Sequence, residues 1–204
     1  RSACEISSPL EVHGVKSHPL HFLSILFFDW KIYTIIMITG FNGITPQIPS
    51  STYVAHSADI VGNVVLGNDV SVWHNSVIRG DFNSIVVEDS SNIQDNSVLH
   101  VDSNEPLHIG TNTTIGHGCI IHGCTIGNSC LIGMGSLIMN RAMIGSNCII
   151  GAGTLITQDT KIPDNSIVLG RPGKISKQIS QSDLEYINSN AKAYVALKNK
   201  YLNQ

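Results

Sequence analysis

The stretch Ile126–Val168, IGNSCLIGMGSLIMNRAMIGSNCIIGAGTLITQDTKIPDNSIV, decides the fold, because an aliphatic residue returns at every sixth position: Ile126, Ile132, Ile138, Ile144, Ile150, Ile156, Ile162 and Val168. That period is neither the 3.6 of a helix nor the plain alternation of a strand. It marks a solenoid in which each hexad supplies a short strand and a turn. Toward the N-terminus the same spacing runs through Val54, Ile60, Leu66, Val72 and Ile78, then Val87, Ile93 and Leu99, then Ile109, Ile115 and Ile121. All nineteen anchors are Val, Ile or Leu. Glycine follows many of them, at Gly67, Gly110, Gly116, Gly127, Gly133, Gly145 and Gly151, and is read as serving a tight turn.

Two positions before an anchor the residue is small or compact, as at Ala58, Val64, Ser76, Ser97, Thr113, Ser136, Ala142, Thr154, Thr160 and Ser166. Such a site lies inside a narrow coil. Cys119, Cys124, Cys130 and Cys148 fall in this position and are read as core fillers, not as a disulfide framework or thiolate metal site. The odd total of five cysteines, with Cys4 outside the repeats, fits a reducing compartment.

A chain of 204 residues allows one domain with a real core. Its composition is 42% hydrophobic but only 13% charged and 6% aromatic, so small and aliphatic groups must fill that core. A net charge of -3 without a basic cluster argues against nucleic acid as a partner. Residues 1–36 lack the repeat and are read as an extension, non-native or processed, with a natural start at Met37. Within them His21–Met37 is apolar, but Asp29 and Lys31 sit near its middle. Each would cost about 2.5–3.5 kcal/mol at a bilayer centre, so no membrane span is expected. A cytoplasmic address is favoured, with a mitochondrial one left open. Ser182–Leu202 reads as a helix, with Ser182 and Glu185 as a capping box and Leu184, Ile187, Ala191, Tyr194, Leu197 and Tyr201 as its apolar stripe.

The repeat, from Ile60 to Lys174, resembles the hexapeptide-repeat family of left-handed parallel β-helices, in which three hexads make one triangular coil. The left hand is implied by the resemblance alone, since parallel crossovers are ordinarily right-handed. The expected architecture is an all-β solenoid over residues 37–174, with about six coils, and a C-terminal α-helix within 175–204 lying along the prism. Taking anchors by threes puts Ile60, Ile78, Leu99, Ile121, Ile138 and Ile156 on one face. The residues that follow three of them, Arg79, His100 and His122, then form a column. His117 follows Ile115 on a different face, so a third zinc nitrogen is not readily reached within one chain. The six-residue step lengthens to nine after Ile78 and ten after Leu99, and both excursions leave at this same corner. Insertions in solenoids gather at binding faces.

Arg79-Gly80-Asp81, Asn92-Ile93-Gln94-Asp95-Asn96, Val98-Leu99-His100 and the run Ile115 to Cys124 with His117 and His122 are similar to the motif set of the γ-class carbonic anhydrases. The resemblance implies a homotrimer in which His100 and His122 of one chain and His117 of the next bind a metal. Zinc is expected, with iron or cobalt also suited to imidazole. It further implies that Gln94 holds water or bicarbonate and that Arg79, Asp81 and Asp95 pair across the subunit interface. Such a site hydrates carbon dioxide reversibly to bicarbonate, because three neutral imidazoles and an open position lower the pKa of bound water towards about 7. The chain departs from the archaeal prototype in having Phe82 where a glutamate follows the Arg-Gly-Asp motif, and only Asp102 and Glu105 as acids in the second excursion. That puts fast proton transfer in doubt. A CoA-dependent acyltransferase or thioesterase and a metal-binding structural subunit of a larger assembly are the alternatives. His56, His74 and His108 are read as surface or hydrogen-bonded residues, and Met134, Met139 and Met143 as packing or surface residues.

Overall fold

Short strands centre on the anchors and stack in register on the strands of the next coil, so that three parallel faces close around a narrow core. A computed structural model describes residues 37–204, and the expectations placed on residues 1–36, including Cys4 and the excluded membrane segment, lie outside the described residues. The first face aligns Ile38, Ile60, Ile78, Leu99, Ile121, Ile138 and Ile156. The second aligns Leu66, Val87, Ile109, Ile126, Ile144 and Ile162. The third aligns Val54, Val72, Ile93, Ile115, Ile132, Ile150 and Val168. The fold is a left-handed parallel β-helix with a single C-terminal helix. It has about seven turns rather than six. The added rung comes from Met37–Thr39, whose Ile38 pairs with Ile60 but remains 40% exposed as the end of the stack.

Every anchor from Ile60 to Val168 is buried, and Val54 packs partly against the same core. The compact sites two residues earlier are buried too, including all four repeat cysteines, while Thr160 is half-buried. Burial pushes the Cys119 thiol up to about 11, and Cys124 is raised further for the same reason. Neither provides a thiolate at neutral pH.

The glycines after the anchors serve a different purpose from the one expected. Gly133 has no left-handed backbone; a Cβ there would come within 2.5 Å of the Ala152 nitrogen on the next coil. The left-handed residue instead comes three positions after the anchor, as at Asp69, Asn75, Ser90, Asn96, Asn112, Gly118, Ser129, Gly135, Arg141, Asn147, Gly153, Asp159 and Asn165. Asparagine, aspartate and glycine tolerate that conformation best. The rule fails at the terminal anchors and after Ile60, Ile78, Leu99 and Ile121, four successive anchors of the first face. The nine-residue step is not a loop: Val77–Val87 is one strand that bends across the corner and pairs with Val98–His100 and then Leu107–Ile109. The ten-residue step does leave the ladder, closing on a bridge between Asp102 and Glu105.

After Gly170, the chain returns as a strand, Gly173–Gln178, antiparallel to Ser166–Gly170, before the helix Gln181–Leu202 begins. Its N-cap is Ser180, paired with Asp183 in a capping box, not Ser182 with Glu185. The helix lies on the third face, with Asn190 at Thr114, Tyr194 at Trp73 and Tyr201 at Tyr53, so it runs back toward the first coils. Ile187 and Ala191 are buried as expected. The stripe then continues through Lys198 instead of Leu197, because the Lys198 ammonium meets Asp69 at 2.8 Å while its stem packs inward. No helix among the described residues is long and apolar enough to cross a membrane.

Candidate metal centre

Parallel pairing sets Arg79 beside His100 and His100 beside His122, as the sorting of anchors into faces requires. The imidazoles of His100 and His122 turn toward each other, with His100 Nδ1 and His122 Nε2 3.0 Å apart. Two facing ring nitrogens need a hydrogen or a cation between them. Two ligands of one tetrahedral zinc stand roughly 3.3 Å apart when each bond is about 2.0–2.1 Å, close to this spacing.

The ring nitrogens that face away from that contact are all anchored. His100 Nε2 meets Asp81 Oδ1 at 3.0 Å, and His122 Nδ1 donates to Asn140 Oδ1. On the other corner, His117 Nδ1 meets Asp95 Oδ2 at 2.9 Å. Metal-binding histidines characteristically place their second nitrogen on a carboxylate or carbonyl, which fixes the ring and leaves the first nitrogen's lone pair free. The residues present therefore suit a divalent cation. Among the described residues no single cluster of three metal-type side chains occurs, since His117 leaves from the third face and the other two from the first.

Asp81 and Asp95 are both engaged within the chain. Burial works against the Asp81 carboxylate, but the contacts from Arg79 and His100 together hold its pKa below the ordinary value. Gln94 is 5% exposed and belongs to a directed chain of hydrogen bonds. Its Nε2 donates to Asn92 Oδ1 at 3.1 Å, Asn92 Nδ2 donates to Thr114 Oγ1 at 2.9 Å, and the Thr114 hydroxyl donates to Asn190 Oδ1 of the helix at 3.0 Å. The Gln94 backbone carbonyl accepts from the Ser76 hydroxyl at 2.8 Å, while the side-chain oxygen Oε1 has no hydrogen-bond partner among the described residues. Gln94 and His117 open onto a cavity of about 380 Å³ between the third face and the helix, bordered by Tyr186, Asn190 and Tyr194.

Phe82 is 61% exposed, and its ring stands edge-on to His100 with centroids 6.1 Å apart. Glu105 is committed to Arg141 at 2.6 Å, which also binds Asp159. Of the other histidines, His108 contacts Glu88 at 2.9 Å, His74 contacts Ser57 at 3.3 Å, and exposed His56 packs edge-on to His74. Met134, Met139 and Met143 are exposed. Thr114, Asn140 and Asn190 were not anticipated from the sequence, and Asn92 entered only as part of the motif around Gln94. Asn140 lies two residues after Ile138, on the same face as the His100 and His122 anchors, and the sorting of anchors into faces was the one signal that could have found it.

Family models place residues 123–158 in the bacterial transferase hexapeptide (six repeats) and residues 106–139 in the hexapeptide repeat of succinyl-transferase. A carbonic anhydrase of Geobacillus kaustophilus is 43% identical over 78% of this chain and 87% of its own length. A Methanocaldococcus jannaschii protein named as a probable carbonic anhydrase is 46% identical over 74% of this chain and 95% of its own. Among solved structures, a hexapeptide transferase family protein from Anaplasma phagocytophilum superposes with a TM-score of 0.79 at 35% identity, covering 81% of this chain and 98% of that one. With the fold and these relatives in agreement, the chain belongs to the γ-carbonic anhydrase-like family of hexapeptide-repeat proteins.

Proposed function

We propose that this protein catalyses the metal-dependent, reversible hydration of carbon dioxide as a homotrimer, with each metal held by His100 and His122 of one chain and His117 of the next. The observation that carries the reading is that each of these three imidazoles rests its outer ring nitrogen on an acceptor, Asp81, Asn140 or Asp95. The divalent cation, when bound, supplies an activated water near neutral pH and an electrophilic centre. The protein supplies the rest. Neutral imidazoles leave the cation's charge undiminished, and their anchored rings hold the ligand geometry before it binds. Gln94, fixed through Asn92, can accept a hydrogen of the reacting water at its side-chain oxygen Oε1 and so direct a lone pair toward the substrate carbon. Arg79 holds Asp81, which in turn holds His100. With Phe82 beside His100 and Glu105 bound by Arg141, the released proton is expected to leave through external buffer.

A second reading has one observation in its favour. The cavity beside the helix extends from His117 past Leu131, Met134 and Ile150, which would suit an elongated thioester with His117 as base and Asp95 behind it. Bound metal should be measured together with carbon dioxide hydration and acyl-CoA turnover. Metal with hydration supports the proposal. Acyl-CoA turnover alone supports the second reading, and metal without either turnover points to a structural subunit.

A further inference from the structure

Asn140 lies one coil below His122, next to a corner that is clamped from three sides. Gly123, at φ +47, shortens the turn after His122, and a Cβ there would come within 2.8 Å of Glu105 Cβ and 3.3 Å of Asn140 Oδ1. The absence of a side chain at Gly123 is what lets both residues close over the corner. Arg141, itself left-handed at φ 60, donates its backbone N–H to the Gly123 carbonyl at 2.7 Å. Its guanidinium binds Glu105 through Nη1 at 2.6 Å and Asp159 through Nε at 2.6 Å and Nη2 at 3.1 Å. The Asp159 N–H donates to the Asn140 carbonyl at 3.2 Å. The excursion after His100 is thereby strapped to the corner after Asn140, and the Asn140 backbone has little freedom left.

The clamp fixes where the Asn140 backbone sits, and from there the side chain meets His122 through Oδ1. With Oδ1 toward Nδ1, the imidazole must carry its hydrogen on Nδ1, and its Nε2 lone pair points at His100. The opposite amide orientation would place an NH₂ group there and force the hydrogen onto Nε2, where it would occupy the position a cation needs. We infer that Asn140, held by the Glu105–Arg141–Asp159 clamp, is a positioning residue that sets His122 in its metal-binding tautomer. The inference rests on the proposed metal site. Asn140 does for His122 what Asp81 and Asp95 do for His100 and His117, with a neutral acceptor in place of a carboxylate.

The test uses the full chain and the variants Asn140→Ala, Asn140→Asp and His122→Ala. Asn140 has ordinary backbone geometry and is half-buried, so neither replacement strains the coil. Zinc affinity is measured by competition with a chromophoric chelator, and the His122 tautomer by nitrogen-15 NMR of the metal-free protein. Asn140→Ala is expected to lose about 10–100-fold in zinc affinity, with hydrogen appearing on both His122 nitrogens. Asn140→Asp keeps an acceptor and is expected to restore both properties. Wild-type affinity and an unchanged tautomer in Asn140→Ala, with zinc lost in His122→Ala, would overturn the inference and leave the metal site standing. A wild-type protein that takes up no zinc would sink the metal site instead. The tautomer comparison in the metal-free variants then still decides the part played by Asn140.

Discussion

Gly133 and Gly135 sit in one corner, two residues apart, and the structure gives them different reasons to be glycine. At Gly133 a Cβ would meet the Ala152 nitrogen at 2.5 Å and both Ala152 Cα and the Gly151 carbonyl carbon at 2.8 Å. These are backbone atoms of the next coil, so the coils themselves must part. The Gly133 N–H donates to the Ile150 carbonyl at 2.7 Å, and separation stretches that bond and its neighbours. Overpacking costs typically 1–3 kcal/mol, and a rigid ladder puts Gly133→Ala at or above the upper end, about 3 kcal/mol. Gly135 has φ +68 and open space around its would-be Cβ. Gly135→Ala therefore meets only the left-handed penalty of about 1–2 kcal/mol, less about 0.4–1 kcal/mol from the stiffer unfolded chain. The net is about 1 kcal/mol. Gly135→Asn should cost less still, since Asn75 and Asn96 occupy the equivalent corner on earlier coils with φ 58 and 60. Urea unfolding followed by circular dichroism measures all three. A larger loss in Gly135→Ala than in Gly133→Ala would refute the assignment of close approach to one glycine and backbone hand to the other.

Further outcomes concern the thiols and the proton. Single Cys119→Ala or Cys124→Ala variants should keep wild-type metal content, and the Cys119 and Cys124 thiols of the native protein should resist thiol reagents at neutral pH; loss of metal would return these residues to the site. The Cys119 pKa rises on folding from 9.0 to about 11, so its stabilising contribution is intact below pH 9 and disappears as pH climbs toward 11. Cys119→Ala should lessen the alkaline decline in unfolding free energy across that interval by roughly 3 kcal/mol, and an unchanged decline would contradict burial as the cause. Phe82→Glu should raise turnover in weak buffer and little in strong buffer. Turnover independent of buffer in both proteins would remove proton export as the limiting step.

The sequence revealed the repeat because burial inside a narrow coil leaves no choice: all anchors from Ile60 to Val168 are inside, and the compact residue two before each must fit between faces. Sorting the anchors by threes brought Arg79, His100 and His122 together for the same geometric reason. What escaped notice depended on contacts between coils rather than on the pattern along the chain. Gly133 and its equivalents are small because the next coil is close, which periodicity alone does not distinguish from a turn. The burial of Lys198 depends on Asp69, which stands on an early coil far away in the sequence. The helix cap moved to Ser180 because the preceding strand ends at Gln178 and the Ile179 N–H is taken by Asn165, leaving Ser180 extended at φ -92, ψ 167. The Thr114–Asn190 bond joins residues 76 positions apart and had no local signal.

Reassembly of two inactive variants tests the shared metal site most directly. His117→Ala and His122→Ala should each fold into metal-free trimers, because both side chains project from corners instead of filling the core. Equal amounts unfolded and refolded together form mixed trimers. An interface regains three ligands when the chain lacking His117 supplies His100 and His122 and its neighbour lacking His122 supplies His117. Random pairing at a directional interface makes that about one interface in four, so the mixture should recover roughly a quarter of the wild-type metal and activity. Mixtures shown by mass measurement to have exchanged subunits, yet free of metal, would contradict a site built between chains.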